Sequence, residues 1–135
     1  MRRPTRWLLV LSLLSSLLVA GATAAPAHAA TEPPVVSCDV AYQIDNDWGT
    51  GHQATVVVTN TGTVPVWWYV LIRYKLGFTV LQVWNIQATV AGDIVRFEPP
   101  SWNAQPLWPG QSAMFGLVVH GPPQVPDVEV FCRPA

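Results

Sequence analysis

Positive charge is scarce in this sequence. Beyond residue 30 the cations are Arg73, Lys75, Arg96 and Arg133, set against eight acids, so residues 31–135 carry a net charge of −4. A surface of that sign excludes a phosphate backbone or an anionic lipid face as partner. Helical periodicity is missing from the same stretch, which excludes all-α and α/β architectures. Cysteine is limited to Cys38 and Cys132, with no C-x-x-C pair, so a structural zinc site is excluded. Carboxylates are few and badly placed for chemistry. Asp45 and Asp47 bracket Asn46, but no further oxygen ligands follow at a calcium-loop spacing. Asp93 and Glu98 could be cast as a glycosidase pair, yet a short chain without inserted loops does not build the cleft such a pair must flank. No metal, no cofactor and no enzymatic activity are therefore expected. There is also no internal repeat, and no Pro/Thr-rich linker leading to a further domain.

What is present begins with a secretory signal over residues 1–30. Arg2, Arg3 and Arg6 form a basic start, "WLLVLSLLSSLLVA" is apolar but too short to span a bilayer comfortably, and "GATAAPAHAA" supplies small residues for cleavage. The expected product, residues 31–135, is one domain with its core over 38–132, released from the membrane and secreted. In an exported chain the two cysteines read most simply as a disulfide closing a loop of about 95 residues.

Short β-rich runs separated by turn residues fill that domain. In "SCDVAYQI", Cys38, Val40, Tyr42 and Ile44 share one side. "QATVVVTN" sets Ala54, Val56 and Val58 against Thr55, Val57 and Thr59. "WWYVLIRYK" puts Trp68, Val70, Ile72 and Tyr74 on one face and Trp67, Tyr69, Leu71 and Arg73 on the other. "TVLQVWNI", "TVAGDIVRFE", "SAMFGLVVH" and "VEVFC" continue the series. "PPSWNAQPLWPGQ" is too rich in proline for regular structure. The pattern predicts an antiparallel β-sandwich, with a closed barrel as the other arrangement that fits. His52 and His120 are expected as solvated strand-end or loop residues.

The sequence holds seven tryptophans, one of them in the signal. Trp67 and Trp68 lie inside an apolar strand, and Trp68 is the one expected in the core. Trp108, in "LWPG", is placed to cover one end of the core. Trp48, Trp84 and Trp102 differ, because each has an asparagine within two positions and lies in or beside a turn. A domain of this size needs few indoles as end plugs. Exposed aromatic patches on secreted proteins mark binding sites. A flat indole stacks on the flat C–H face of a β-linked sugar ring, and neighbouring amides bond its hydroxyls.

At this level of detail the chain resembles the family 2 carbohydrate-binding modules. The stretches that carry the resemblance are "CDVAYQIDNDWGTG", "VTNTG", "WYVLIRYKLG", "VWN", "PSWN", "PGQ" and "FG", with a cysteine at each end, in order from Cys38 to Cys132. The resemblance implies a jelly-roll- or immunoglobulin-like sandwich with its ends joined by the disulfide. It also implies a flat face carrying Trp48, Trp84 and Trp102, with Asn46 and Gln82 beside the platforms. Asn85 and Asn103, next to two of the indoles, are added as hydrogen-bonding residues. The expected ligand is an insoluble polysaccharide, cellulose first and chitin second, bound by a monomer. The sequence departs from the family pattern at His52, Thr55, Met114 and Val118. His52, Met114 and Val118 suit the alternative function, a secreted structural or protein-interaction sandwich without sugar binding.

Overall fold

The computed structural model describes Gly21 and residues 32–135. The expected signal, Gly21 apart, lies outside the described residues. Glu32–Ala135 form a compact unit of eight strands: β1 (Cys38–Asp47), β2 (Gly51–Asn60), β3 (Val66–Arg73), β4 (Thr79–Trp84), β5 (Gln87–Ala91), β6 (Ile94–Glu98), β7 (Ser112–His120) and β8 (Asp127–Pro134). They form two antiparallel sheets of four, ordered β1-β2-β7-β4 and β5-β6-β3-β8. The fold is the predicted sandwich, and both sheets have free edges.

Strict alternation in β2, β3 and β7 builds the core. Ala54 and Val56 pair with Leu117 and Phe115 across β2–β7, Val58 and Val119 extend the same inward face, and Trp68, Val70 and Ile72 come from the opposite sheet. Phe115 lies between Trp68, at 6.2 Å, and Phe97, at 5.0 Å, in near-parallel stacking. Cys38 and Cys132 are bonded, with Cα atoms 6.3 Å apart. Because β1 and β8 are edge strands of different sheets, the bond joins the two layers.

Three expectations need correction. "TVAGDIVRFE" is two strands, since Gly92 adopts φ 63° and turns β5 into β6. "SWN" forms a single turn of 3-10 helix, Ser101–Asn103. Trp108 is 56% exposed and stays outside the core, while its neighbour Leu107 is buried in it. The backbone explains the exchange. Leu107 bonds Val66 in both directions, at 2.9 and 3.0 Å, which commits its side chain inward and the next one outward. Asn60 fastens the same region. It is buried, and its amide donates to the Val64 and Leu107 carbonyls at 2.8 Å while its oxygen accepts from Gly62 N at 2.9 Å. A buried polar side chain so fully partnered specifies the turn.

Among the described residues no helix is long and apolar enough to cross a membrane, and no cluster of His, Cys, Asp and Glu is arranged to hold a metal ion.

Candidate functional site

The outer face of the β1-β2-β7-β4 sheet collects most of the singled-out residues. Trp48 lies in the β1–β2 turn. Asp47 Oδ1 accepts from Gly49 N at 2.8 Å, Trp48 N donates to Gly51 O at 3.1 Å, and Gly49 takes φ 88°. An aspartate closing such a turn leaves the following side chain free to fold back. Here it folds beside Gly51: a Cβ at that glycine would fall 3.1 Å from Trp48 Cζ2 and Nε1, although the Val119 carbonyl oxygen, at 2.5 Å, is the tighter limit there. Trp84 ends β4 and lies across Gly116 of β7, where a Cβ would fall 1.9 Å from Cε2 and Cζ2. Gly116 alternates with inward Phe115 and Leu117, so the Trp84 indole occupies the space its side chain would otherwise fill, whereas Trp48 lies against Gly51 without being the first atom a side chain there would meet. Gly51 pairs with His120, and Gly116 is four residues back along β7. At roughly 3.4 Å per residue the backbone positions beneath the two indoles are about 14 Å apart along the strand.

Trp102 sits on the 3-10 turn and is 82% exposed, which makes it the most exposed large hydrophobic side chain described. Asn103 N donates to Pro100 O at 3.0 Å and closes that turn. Trp84, Asn85, Trp102, Asn103 and Met114 line one open concavity of about 660 Å³. Asn85 adopts φ 60°, a left-handed conformation that asparagine tolerates, and so turns the chain directly after Trp84. Gln82 is exposed and pairs in register with Val118, while Asn46 is exposed and pairs with Gln53 after a bulge at Asp45. Thr55 donates to Asp45 Oδ2 at 2.5 Å. Met114 is 63% exposed and Val118 half-buried, both on this face.

His52 does not belong to the face, and its expected solvation is corrected. It is 2% exposed and points inward. The strand starts at Gly51, so the inward series Ala54, Val56, Val58 extends back to it, a signal the alternation already contained. Its Nε2 meets the Tyr42 hydroxyl at 2.5 Å, and that hydroxyl meets the Tyr74 hydroxyl at 3.2 Å. Burial lowers the His52 pKa, opposed by the Asp47 carboxylate. Burial also pushes Tyr42 up to about 12, against the hydrogen bond from Tyr74, and lifts Tyr74 well above the usual phenol range. Burial thus favours the neutral imidazole, which shares one hydrogen bond with the Tyr42 hydroxyl.

A pH dependence follows. The unfolded chain protonates His52 near pH 6.5, while the folded chain resists until lower pH. Below about 6.5 the unfolded state therefore binds more protons, and stability falls as pH is lowered towards the folded pKa. The urea midpoint of the wild type should drop more between pH 7 and pH 5 than that of His52→Gln. Parallel curves for the two proteins would remove His52 as the cause.

A family model described as "Cellulose binding domain" matches residues 38–132. The chain is 38% identical over 81 residues to Endoglucanase B of Cellulomonas fimi, covering 60% of this chain and 8% of that protein. It is 35% identical over 100 residues to Chitinase C of Streptomyces lividans, covering 73% of this chain and 15% of that one. It thus spans a small fraction of the length of the curated relatives it matches. Among solved structures it is similar to the chitin-binding domain of Chi18aC from Streptomyces coelicolor, with TM-score 0.61, 31% identity, and coverage of 71% of this chain and 91% of that one.

Proposed function

This chain belongs to the cellulose binding domain family, and from that membership we propose that it is a secreted, monomeric, non-catalytic module that adsorbs to insoluble β-linked polysaccharide, cellulose first and chitin second. Trp48, Trp84 and Trp102 stack on sugar rings. Asn46, Gln82, Asn85 and Asn103 supply hydrogen bonds to the hydroxyls. The observation that carries this reading is the Trp84 indole laid over outward-facing Gly116, with Trp48 folded beside Gly51 at the same sheet. Covering backbone in this way gives up a side-chain position and leaves broad apolar surface in solvent, which suits a flat partner.

Each platform burying on the order of 100 Å² contributes about 2.5 kcal/mol gross at ~25 cal/mol/Å². Three give roughly 7 kcal/mol before several are lost to immobilisation, so micromolar adsorption is expected to a polymer that offers many adjacent sites. Exposed Met114 favours a second reading, an apolar protein-interaction face. His52 no longer supports that reading, because it is buried beneath the sheet. Adsorption to microcrystalline cellulose and to chitin separates the two. Trp48→Ala and Trp102→Ala should each weaken binding roughly 30-fold, about 2 kcal/mol. Failure of the wild type to adsorb, or equal adsorption by all three proteins, would overturn the platform reading.

A further inference from the structure

The outward positions of the second sheet are not those of a solvated surface. A sandwich normally alternates apolar-in with polar-out. On β3 and β8, however, the outward residues include Trp67, Tyr69, Leu71 and Phe131, all only half-buried. Tyr69 and Phe131 pair across the strands and stack at 4.9 Å, and the Arg96 guanidinium lies 3.8 Å over the other face of Tyr69. Arg96 is held from its far side by Glu98 Oε2, at 3.2 and 3.3 Å. Trp67 stands beyond this ladder, paired in register with exposed Arg133. Together they line a concavity of about 340 Å³, at the lower end of ligand-site sizes.

Charge separates this face from the other. Arg73, Arg96 and Arg133 all project from the outer side of β5-β6-β3-β8, while the outer side of β1-β2-β7-β4 carries no lysine or arginine. Arg73 pairs with Asp93, Lys75 with Asp127 and Arg96 with Glu98. Arg133 alone among the described cations has no ion pair, in a chain where acids outnumber cations two to one beyond residue 30. It sits beside an indole, at the mouth of a ring-sized concavity.

We propose that the Trp67–Arg133 concavity is a second binding site, for a carboxylated sugar. The indole packs on the ring, the Arg133 fork takes the carboxylate in the bidentate geometry guanidinium favours, and the fixed Arg96–Glu98 pair offers donors and acceptors to hydroxyls. A peptide strand would add to a free sheet edge, whereas this concavity opens on a face. The module then has two chemically different sides, an aromatic one without cations and an aromatic one whose cations include the unpaired Arg133, and can tether an acidic glycan to the polymer it adsorbs on. The inference does not depend on what the first face binds.

The test uses the isotope-labelled protein, titrated in turn with tetra-β-1,4-glucuronate, with cellotetraose (the same chain without carboxylates) and with tetraglutamate. The glucuronate should move the Trp67 indole and Arg133 guanidinium resonances. Arg133→Gln should weaken the response about five-fold or more. No movement by about 10 mM overturns the site. Equal movement with cellotetraose overturns its charge specificity, equal movement with tetraglutamate overturns the sugar, and an unchanged affinity in Arg133→Gln overturns the role of that residue.

Discussion

Gly116→Leu is expected to lower adsorption to cellulose by more than 100-fold while leaving the fold intact. The core gains nothing from Gly116, whose missing side chain would point outward. What it provides is room for Trp84, whose ring atoms come within 1.9 Å of where a Cβ must stand. A leucine there displaces the indole, which removes one platform worth about 2 kcal/mol. The leucine also stands upright between the positions of Trp48 and Trp102, so a flat polymer cannot lie across both. The second effect places this variant below any single tryptophan deletion. Gly116→Ala displaces the indole without the tall side chain and should fall between the two. Depletion isotherms on microcrystalline cellulose give the ranking, and unchanged amide dispersion confirms the fold. Wild-type affinity in Gly116→Leu would mean that Trp84 does not work from its place on β7.

How much of this was legible beforehand depends on which physical signal each residue carries. Trp68, Val70 and Ile72 alternate strictly, and the core takes all three. The strand "SAMFGLVVH" coincides with β7 because turn residues bound it on both sides. His52 was misplaced by a boundary. With the strand starting at Gln53 it looked like a loop residue, and with the strand starting at Gly51 it is inward. Leu107 and Trp108 were exchanged because the sequence marks the loop as irregular but not which of two adjacent apolar side chains its hydrogen bonds turn inward. The placements of Trp48 beside Gly51 and of Trp84 over Gly116 were beyond reach, because each depends on where a residue outside that strand folds back. Asn60 was hidden for the same reason, since a buried amide and a solvated turn asparagine have the same sequence signature.

The departures at Met114 and Val118 now have a place as well as an identity. Both project from β7 onto the face that holds Trp48 and Trp84, on either side of Gly116. Apolar groups there supply no hydrogen bonds, so under the proposed function more of the binding would rest on stacking. That makes adsorption depend more steeply on the indoles than on the amides Asn46 and Gln82. It also leaves the Gly116 geometry as the feature with the least redundancy.

Removal of the Cys38–Cys132 bond should cost about 2–4 kcal/mol of stability and lower the melting temperature by roughly 10–25 °C for a domain of this size. The bond spans 94 residues, nearly the whole β unit, so it removes a large share of the unfolded chain's freedom. The chain-entropy value for such a loop is about 4–5 kcal/mol, the upper end of what the native state retains. Position adds to length. β1 and β8 each have one sheet neighbour, β2 and β3 respectively, so each is held by one ladder and by the packing between layers. Without the bond these edges are the first to fray, and unpaired edges then face solvent. Two measurements keep the prediction open to failure: thermal melts of the Cys38→Ala/Cys132→Ala double variant, and of the wild type under reductant. Both should shift by similar amounts. Cellulose adsorption well below the new midpoint should persist, because Trp48, Trp84 and Trp102 sit on turns and strands away from both cysteines in sequence. A midpoint within a degree or two of the wild type would mean that packing between the sheets, and not the covalent tie, holds β1 against β8.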